Sequence, residues 1–186
     1  MQKIFEPAYL LGLKIFKYSK FIKQKDQSDC GAACLATAAN LYNISYPISK
    51  IREVAGTNQK GTSAYGLIKA AEDIGFDAKG VKADITDLDN KLKVPIIAHT
   101  IENNIAHYIV IYKIFKSNLV IFDPEHGLKV IDKQDFKKKW TNLLILLAPR
   151  FKETKMDNQK NKSSFIKEQI KKNKTLLFQI FIASLF

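Results

Sequence analysis

The segment QKDQSDCGAACL, Gln24 to Leu35, puts a cysteine at the opening of an alanine-rich run, directly after a polar, acidic stretch. The run continues as CGAACLATAANLY, which is rich in strong helix formers, and Asp29 before it is a residue type suited to an N-cap. A helix beginning at Cys30 leaves that side chain three readings: a small apolar residue in a buried helix, a ligand or bridge partner for Cys34, or a nucleophile. The nucleophile reading has a physical basis. A thiol at a helix start faces unsatisfied backbone N–H groups and the positive end of the macrodipole, which favour the thiolate. The same N–H groups could hold the oxyanion of a tetrahedral intermediate, with the amide of Gln24 as a second donor. Gly31 would let a substrate come close to the backbone. Cys34, set among alanines, reads as packing.

Outward from this segment the chain moves from helical to strand signals. YPISKIREVAG reads as a short helix ending at Gly56, and SAYGLIKAAEDIGF carries a helical stripe of Leu67, Ile68, Ala71 and Ile74 with Ser63 as its cap. Strand signals follow in VPIIAHT, AHYIVIYKIF, NLVIFDP, LKVI and NLLILLAP, with Asn103 and Asn104 as turn residues between two of them. Helices first and adjacent strands later predict an α+β domain with a largely antiparallel sheet.

The whole chain has 186 residues, 46% of them hydrophobic and 26% charged, and two cysteines, which excludes both wholesale disorder and a disulfide framework. Its formal charge of +12 is unevenly spread: residues 1–25 carry +5, residues 150–174 carry +6, and residues 26–149 only +1. A nucleic-acid-binding domain would need a basic stripe of its own, so the charge argues against nucleic acid. Lysine-rich flanks fit a membrane surface better. The domain layout read from these shifts is an N-terminal extension at 1–22, a core-bearing domain at 23–150, a basic linker at 151–174, and an apolar stretch at 175–186. That last stretch, TLLFQIFIASLF, is too short to span a bilayer and reads as the first part of a transmembrane helix, with a docking helix as the alternative. The N-terminal extension makes a poor signal peptide, since Pro7 and Lys14 interrupt it.

Two other chemistries fail on the residues. GTNQKGTS, Gly56 to Ser63, nearly matches a phosphate-binding loop, but Thr62 stands where the lysine is needed and a helix precedes it where a strand should. Cys30 and Cys34 could share a zinc, yet His99, His107 and His126 offer no paired spacing, so no metal site is expected.

A cysteine nucleophile needs a base and a group that orients the base. His107 lies near the start of AHYIVIYKIF, where alternation puts it on the face of Ile109 and Ile111. Asp123 lies near the end of the next strand. In a hairpin the two are directly opposite if the turn centres at 115, and a residue or two out of register otherwise. An aspartate accepting from Nδ1 would set the tautomer and leave Nε2 to take the thiol proton. A core histidine and a turn aspartate before Pro124 remain the plain alternatives.

The blocks QKDQSDCGAACL, GTSAYGLIKAAEDIGF, HYIVIYKI, VIFDPEHG and WTNLLILLAP resemble, in that order, the double-glycine leader peptidase family. These are the N-terminal cysteine peptidase domains of bacterial ABC transporters that process and export bacteriocins and signalling peptides. The resemblance runs from Lys23 to about Arg150. It implies a papain-like fold, with a helical half carrying Cys30 and an antiparallel sheet half carrying His107 and Asp123. It also implies roles: Cys30 as nucleophile, His107 as base, Asp123 as the orienting acid and Gln24 as an oxyanion-hole donor. Asp26, Asp29 and Gly31 match motif positions with structural roles, whereas His99 and His126 fall at no catalytic position. The implied substrate is a precursor peptide cut after a Gly-Gly or similar pair, with no cofactor, on the cytoplasmic face of the membrane. Transporter membrane and nucleotide-binding domains are missing from this sequence. The alternative within the resemblance is a domain that tethers the leader without cutting it.

Overall fold

A computed structural model describes residues 20–150; the readings for the N-terminal extension before Lys20, for the linker and for the apolar stretch at 175–186 lie outside the described residues. Among the described residues no helix is long and apolar enough to cross a membrane.

Three helices come first: α1 (Cys30–Leu41), α2 (Ile48–Ala55) and α3 (Ala64–Asp73). Six strands follow, β1 (Phe76–Lys82), β2 (Ile96–Glu102), β3 (Ile105–Ile114), β4 (Asn118–Asp123), β5 (Gly127–Asp132) and β6 (Trp140–Pro149), with a short helix α4 (Lys133–Lys139) before the last. The strands form one antiparallel sheet in the order β1-β6-β2-β3-β4-β5. This is the α+β arrangement expected. Sequence reading missed β1 and α4. In FDAKGVK only Phe76 is buried, and KQDFKKK buries only Phe136, so neither carries an apolar pattern for periodicity to find.

The sheet is buried on both faces. On one, α1 packs through Leu35 and its alanines against Ile97, Tyr108, Val110 and Phe122, with Ile51 and Leu67 joining from α2 and α3. On the other, Ile96, Ala98, Ile109, Ile111 and Leu119 meet Leu88, Phe136 and Trp140. Two covered faces explain why the central strands read as continuous apolar runs rather than alternating ones. Helix α1 is buried from Cys30 to Ala39, and its alanines let it lie close to its neighbours.

The helix boundaries have local causes. Ser63 accepts from the Gly66 N–H at the start of α3, and Gly56 closes α2 in the left-handed region at φ 64°. Where α2 and α3 cross, a Cβ on Gly66 would stand 2.1 Å from the Ala55 carbonyl oxygen, so only glycine fits. The phosphate-loop look-alike is a tight turn between these helices, with Asn58 and Gly61 exchanging both backbone hydrogen bonds and Thr57 bonded to a buried Thr62.

Two expectations at α1 need correction. Asp29 occupies the N-cap position but its side chain makes no cap; it is buried and pairs with Arg52 of α2 instead. A buried carboxylate needs a charged partner more than α1 needs that cap. Gly31 does not open the backbone to a substrate: a Cβ there would meet Leu67 at 3.1 Å and Thr62 at 3.3 Å. It is small so that α3 can approach.

Candidate active site

Three chain elements converge at one rim of the sheet: the start of α1, the early part of β3 and the end of β4. Cys30 begins α1 and is almost fully buried at 4% exposed, and both Cys30 and Cys34 are free thiols. His107 is the third residue of β3, and Asp123 is the last of β4.

The register between β3 and β4 pairs Val110 with Phe122 and Ile111 with Ile121, then slips at Tyr112 so that Lys113 meets Val120. Continued outward, it sets Asp123 across from Ile109, two residues from His107. A diagonal neighbour at that offset is still within reach of long side chains. The hydrogen bond forms: His107 Nε2 lies 3.0 Å from Asp123 Oδ1. An ionised carboxylate only accepts, so Nε2 carries the proton and donates.

This reverses the assignment of the ring nitrogens. The aspartate takes Nε2, not Nδ1, which leaves Nδ1 as the nitrogen free to serve Cys30, whose proximity helps hold the His107 proton. Alternation did not reveal this either. Ile109 and Ile111, on the same parity as His107, belong to the core layer away from α1, while Tyr108 and Val110 face it. His107 itself belongs to neither core layer.

Electrostatics at the site follow from these contacts. Burial works against a charged His107, but the Asp123 and Cys30 hydrogen bonds and charges outweigh it and hold its pKa at about 9. Burial likewise opposes the Asp123 charge, yet donation from His107, the Glu125 N–H and His126 drives its pKa well below the usual carboxylate range. Burial, then the neighbouring Cys30 and Asp123 charges, pushes the Cys34 thiol well above its ordinary value. The site therefore favours an ionised Asp123, a protonated His107 and a protonated Cys34. Burial and the two cysteine charges also push the Tyr108 phenol to about 12.

Gln24 reaches the same corner through its backbone, whose N–H donates to the Pro124 carbonyl at 3.1 Å, one residue past Asp123. Its side-chain Oε1 is buried with no hydrogen-bond partner. His99 is held apart from this chain of contacts, with Nδ1 2.8 Å from Thr141 Oγ1 and its ring against Tyr108. Burial, then the nearby His107, lowers its pKa.

Sequence reading passed over His126. Its Nδ1 lies 3.0 Å from Asp123 Oδ2, so a second histidine shares the carboxylate. The Asp-x-x-His spacing across a turn was the signal available, since a tight turn returns the fourth residue towards the first. Among the described residues no group of three or more His, Cys, Asp or Glu side chains could hold a metal ion.

The sequence profile of the Peptidase C39 family matches residues 18–152. The lactococcin-G-processing and transport ATP-binding protein LagD of Lactococcus lactis subsp. lactis is 39% identical over 133 residues, covering 70% of this chain and 19% of LagD. Among solved structures, the peptidase domain of Streptococcus ComA, a bifunctional ABC transporter involved in quorum sensing, superposes with a TM-score of 0.66 at 39% identity. That match covers 69% of this chain and 96% of the ComA domain. A double glycine motif protease from an AMS/PCAT transporter, solved in complex with its leader peptide, gives 0.64 at 28% identity, covering 69% and 89%. The chain spans about a fifth of the length of the curated relatives it matches.

Proposed function

The chain belongs to the Peptidase C39 family, and from that premise we propose that it is a cysteine peptidase that removes the leader of a bacteriocin or signalling-peptide precursor after a double-glycine-type site. The observation that supports this is the placement of His107, hydrogen-bonded to Asp123 at the end of β4 and held in its charged form by both Asp123 and Cys30 at the start of α1. In this reading Cys30 Sγ attacks the carbonyl carbon of the last leader residue. His107, protonated on both ring nitrogens in the resting pair, gives its Nδ1 proton to the departing amine. Water then attacks the thioester, and the now neutral Nδ1 takes its proton as Cys30 leaves. Asp123 keeps the ring in position throughout and stabilises the imidazolium.

The oxyanion would be received by the backbone N–H of Cys30, one of the groups at the start of α1 without an intrahelical partner, and by the side-chain amide of Gln24. The relatives named above, LagD and the ComA and AMS/PCAT transporters, support a wider setting. There the peptidase domain, residues 23–150, serves an ABC exporter at the cytoplasmic face of the membrane. Transmembrane and nucleotide-binding domains would be its partners, and neither nucleic acid nor a cofactor has a part.

Incubation with synthetic precursors whose leaders end in Gly-Gly tests the reading. Wild-type protein should cut after the pair, and Cys30→Ala should bind the leader without cutting it. A wild type that binds leader but never cuts would make the domain a tether and overturn the proposal.

A further inference from the structure

The Asp123 carboxylate has two differently occupied ends. Oδ1 is crowded: it receives His107 Nε2 at 3.0 Å, the Glu125 N–H at 2.9 Å and the His126 N–H at 3.3 Å. Among the described residues Oδ2 receives His126 Nδ1 at 3.0 Å, and Lys129 Nζ lies beyond it at 3.9 Å. A carboxylate held at one oxygen can still pivot about it; a second point of attachment sets its plane. That plane governs how the remaining lone pair of Oδ1 meets the His107 ring.

We propose that His126 is a positioning residue of the active site, clamping Oδ2 of Asp123 so that Oδ1 holds His107 in register with Cys30. This rests on the peptidase reading for its consequence in catalysis but not for the contact itself. The side-chain exposures fit the role: 18% for His107, 12% for Asp123 and 55% for His126, so His126 forms the solvent end of the line. Because the carboxylate can only accept, Nδ1 of His126 carries the proton and donates it to Oδ2. The other charged groups facing it are Lys129 on β5 and Glu102 on β2, the latter paired with Lys139.

The test uses the full chain, which has only three histidines, so ring resonances can be assigned by single substitutions. His126→Ala removes the clamp, and His126→Asn puts an amide N–H near where Nδ1 stood. In wild type the His107 Nε2 proton should give a downfield resonance protected from exchange. It should broaden or vanish in His126→Ala and persist in His126→Asn. With a synthetic Gly-Gly leader peptide, kcat should fall about tenfold in His126→Ala with KM little changed, the size of one charge-assisted hydrogen bond. His126→Asn should recover most of it. Unchanged resonance and kcat in His126→Ala overturn the proposal, as do equal losses in both variants accompanied by a lowered Tm, which would mark a purely structural turn residue. If wild type cuts no such peptide, the peptidase reading falls while the resonance still decides whether the clamp exists.

Discussion

Asp123→Asn separates the charge of Asp123 from its shape. An asparagine keeps an oxygen that can accept from His107 Nε2, so the ring stays near its place, but the negative charge is gone. The rise of the His107 pKa from 6.5 to about 9 corresponds to roughly 3 kcal/mol favouring the imidazolium, achieved although burial acts in the opposite direction. Asp123 and Cys30 share that effect, each through a hydrogen bond and a charge. If the two contribute comparably, losing one charge should lower the His107 pKa by about one unit or more. Since the proposed acid is the imidazolium, wild-type kcat/KM should decline as pH rises through about 9. In Asp123→Asn that alkaline limb should lie about one unit lower, with kcat/KM near pH 7 reduced on the order of 10–100-fold, and less than in His107→Ala. The assay is leader-peptide cleavage between pH 5 and 10, followed by separation of the products. An alkaline limb that stays in place, or a loss equal to that of His107→Ala, would refute the assignment of Asp123 as the charge that supports His107.

Arg52→Gln strands the buried Asp29 beside Cys30 and should lower unfolding stability in urea by about 2–3 kcal/mol, discounted from a fully buried pair because Arg52 is about a third exposed. Adding Asp29→Asn should return part of it; a neutral single variant would show that the pair contributes nothing. Gly66→Ala drives a Cβ into the Ala55 carbonyl and should lower stability by about 1–3 kcal/mol or more, visible as a drop in Tm, whereas a wild-type Tm would deny the tight α2–α3 crossing. Stability should also track His107. Its raised pKa makes a contribution that is full below about pH 6.5 and is lost as pH rises through about 9, so chemical unfolding should show a decline in that window that His107→Ala lacks.

Much of the site was legible because its residues obey short-range rules. A cysteine opening an alanine-rich helix, a histidine early in one strand and an aspartate ending the next are matters of propensity and order along the chain. Those same local rules gave the helix ends at Ser63 and Gly56 and the strands β2 to β6. What they could not supply were quantities set by contacts between distant segments. The slip at Tyr112 set the diagonal offset of His107 and Asp123, across which Nε2 rather than Nδ1 met the acid. Asp29 exchanged a local cap for Arg52, 23 residues away, because burying its charge demanded a cation. Gly31 proved to be space for Leu67 and Thr62, and β1 was held by pairing with β6 rather than by any pattern of its own. The sequence by itself thus determined which groups are available and the elements that carry them. The tertiary structure decided which of their atoms face one another, since hydrogen bonds and ion pairs depend on ångström-scale distances that spacing along a chain does not contain.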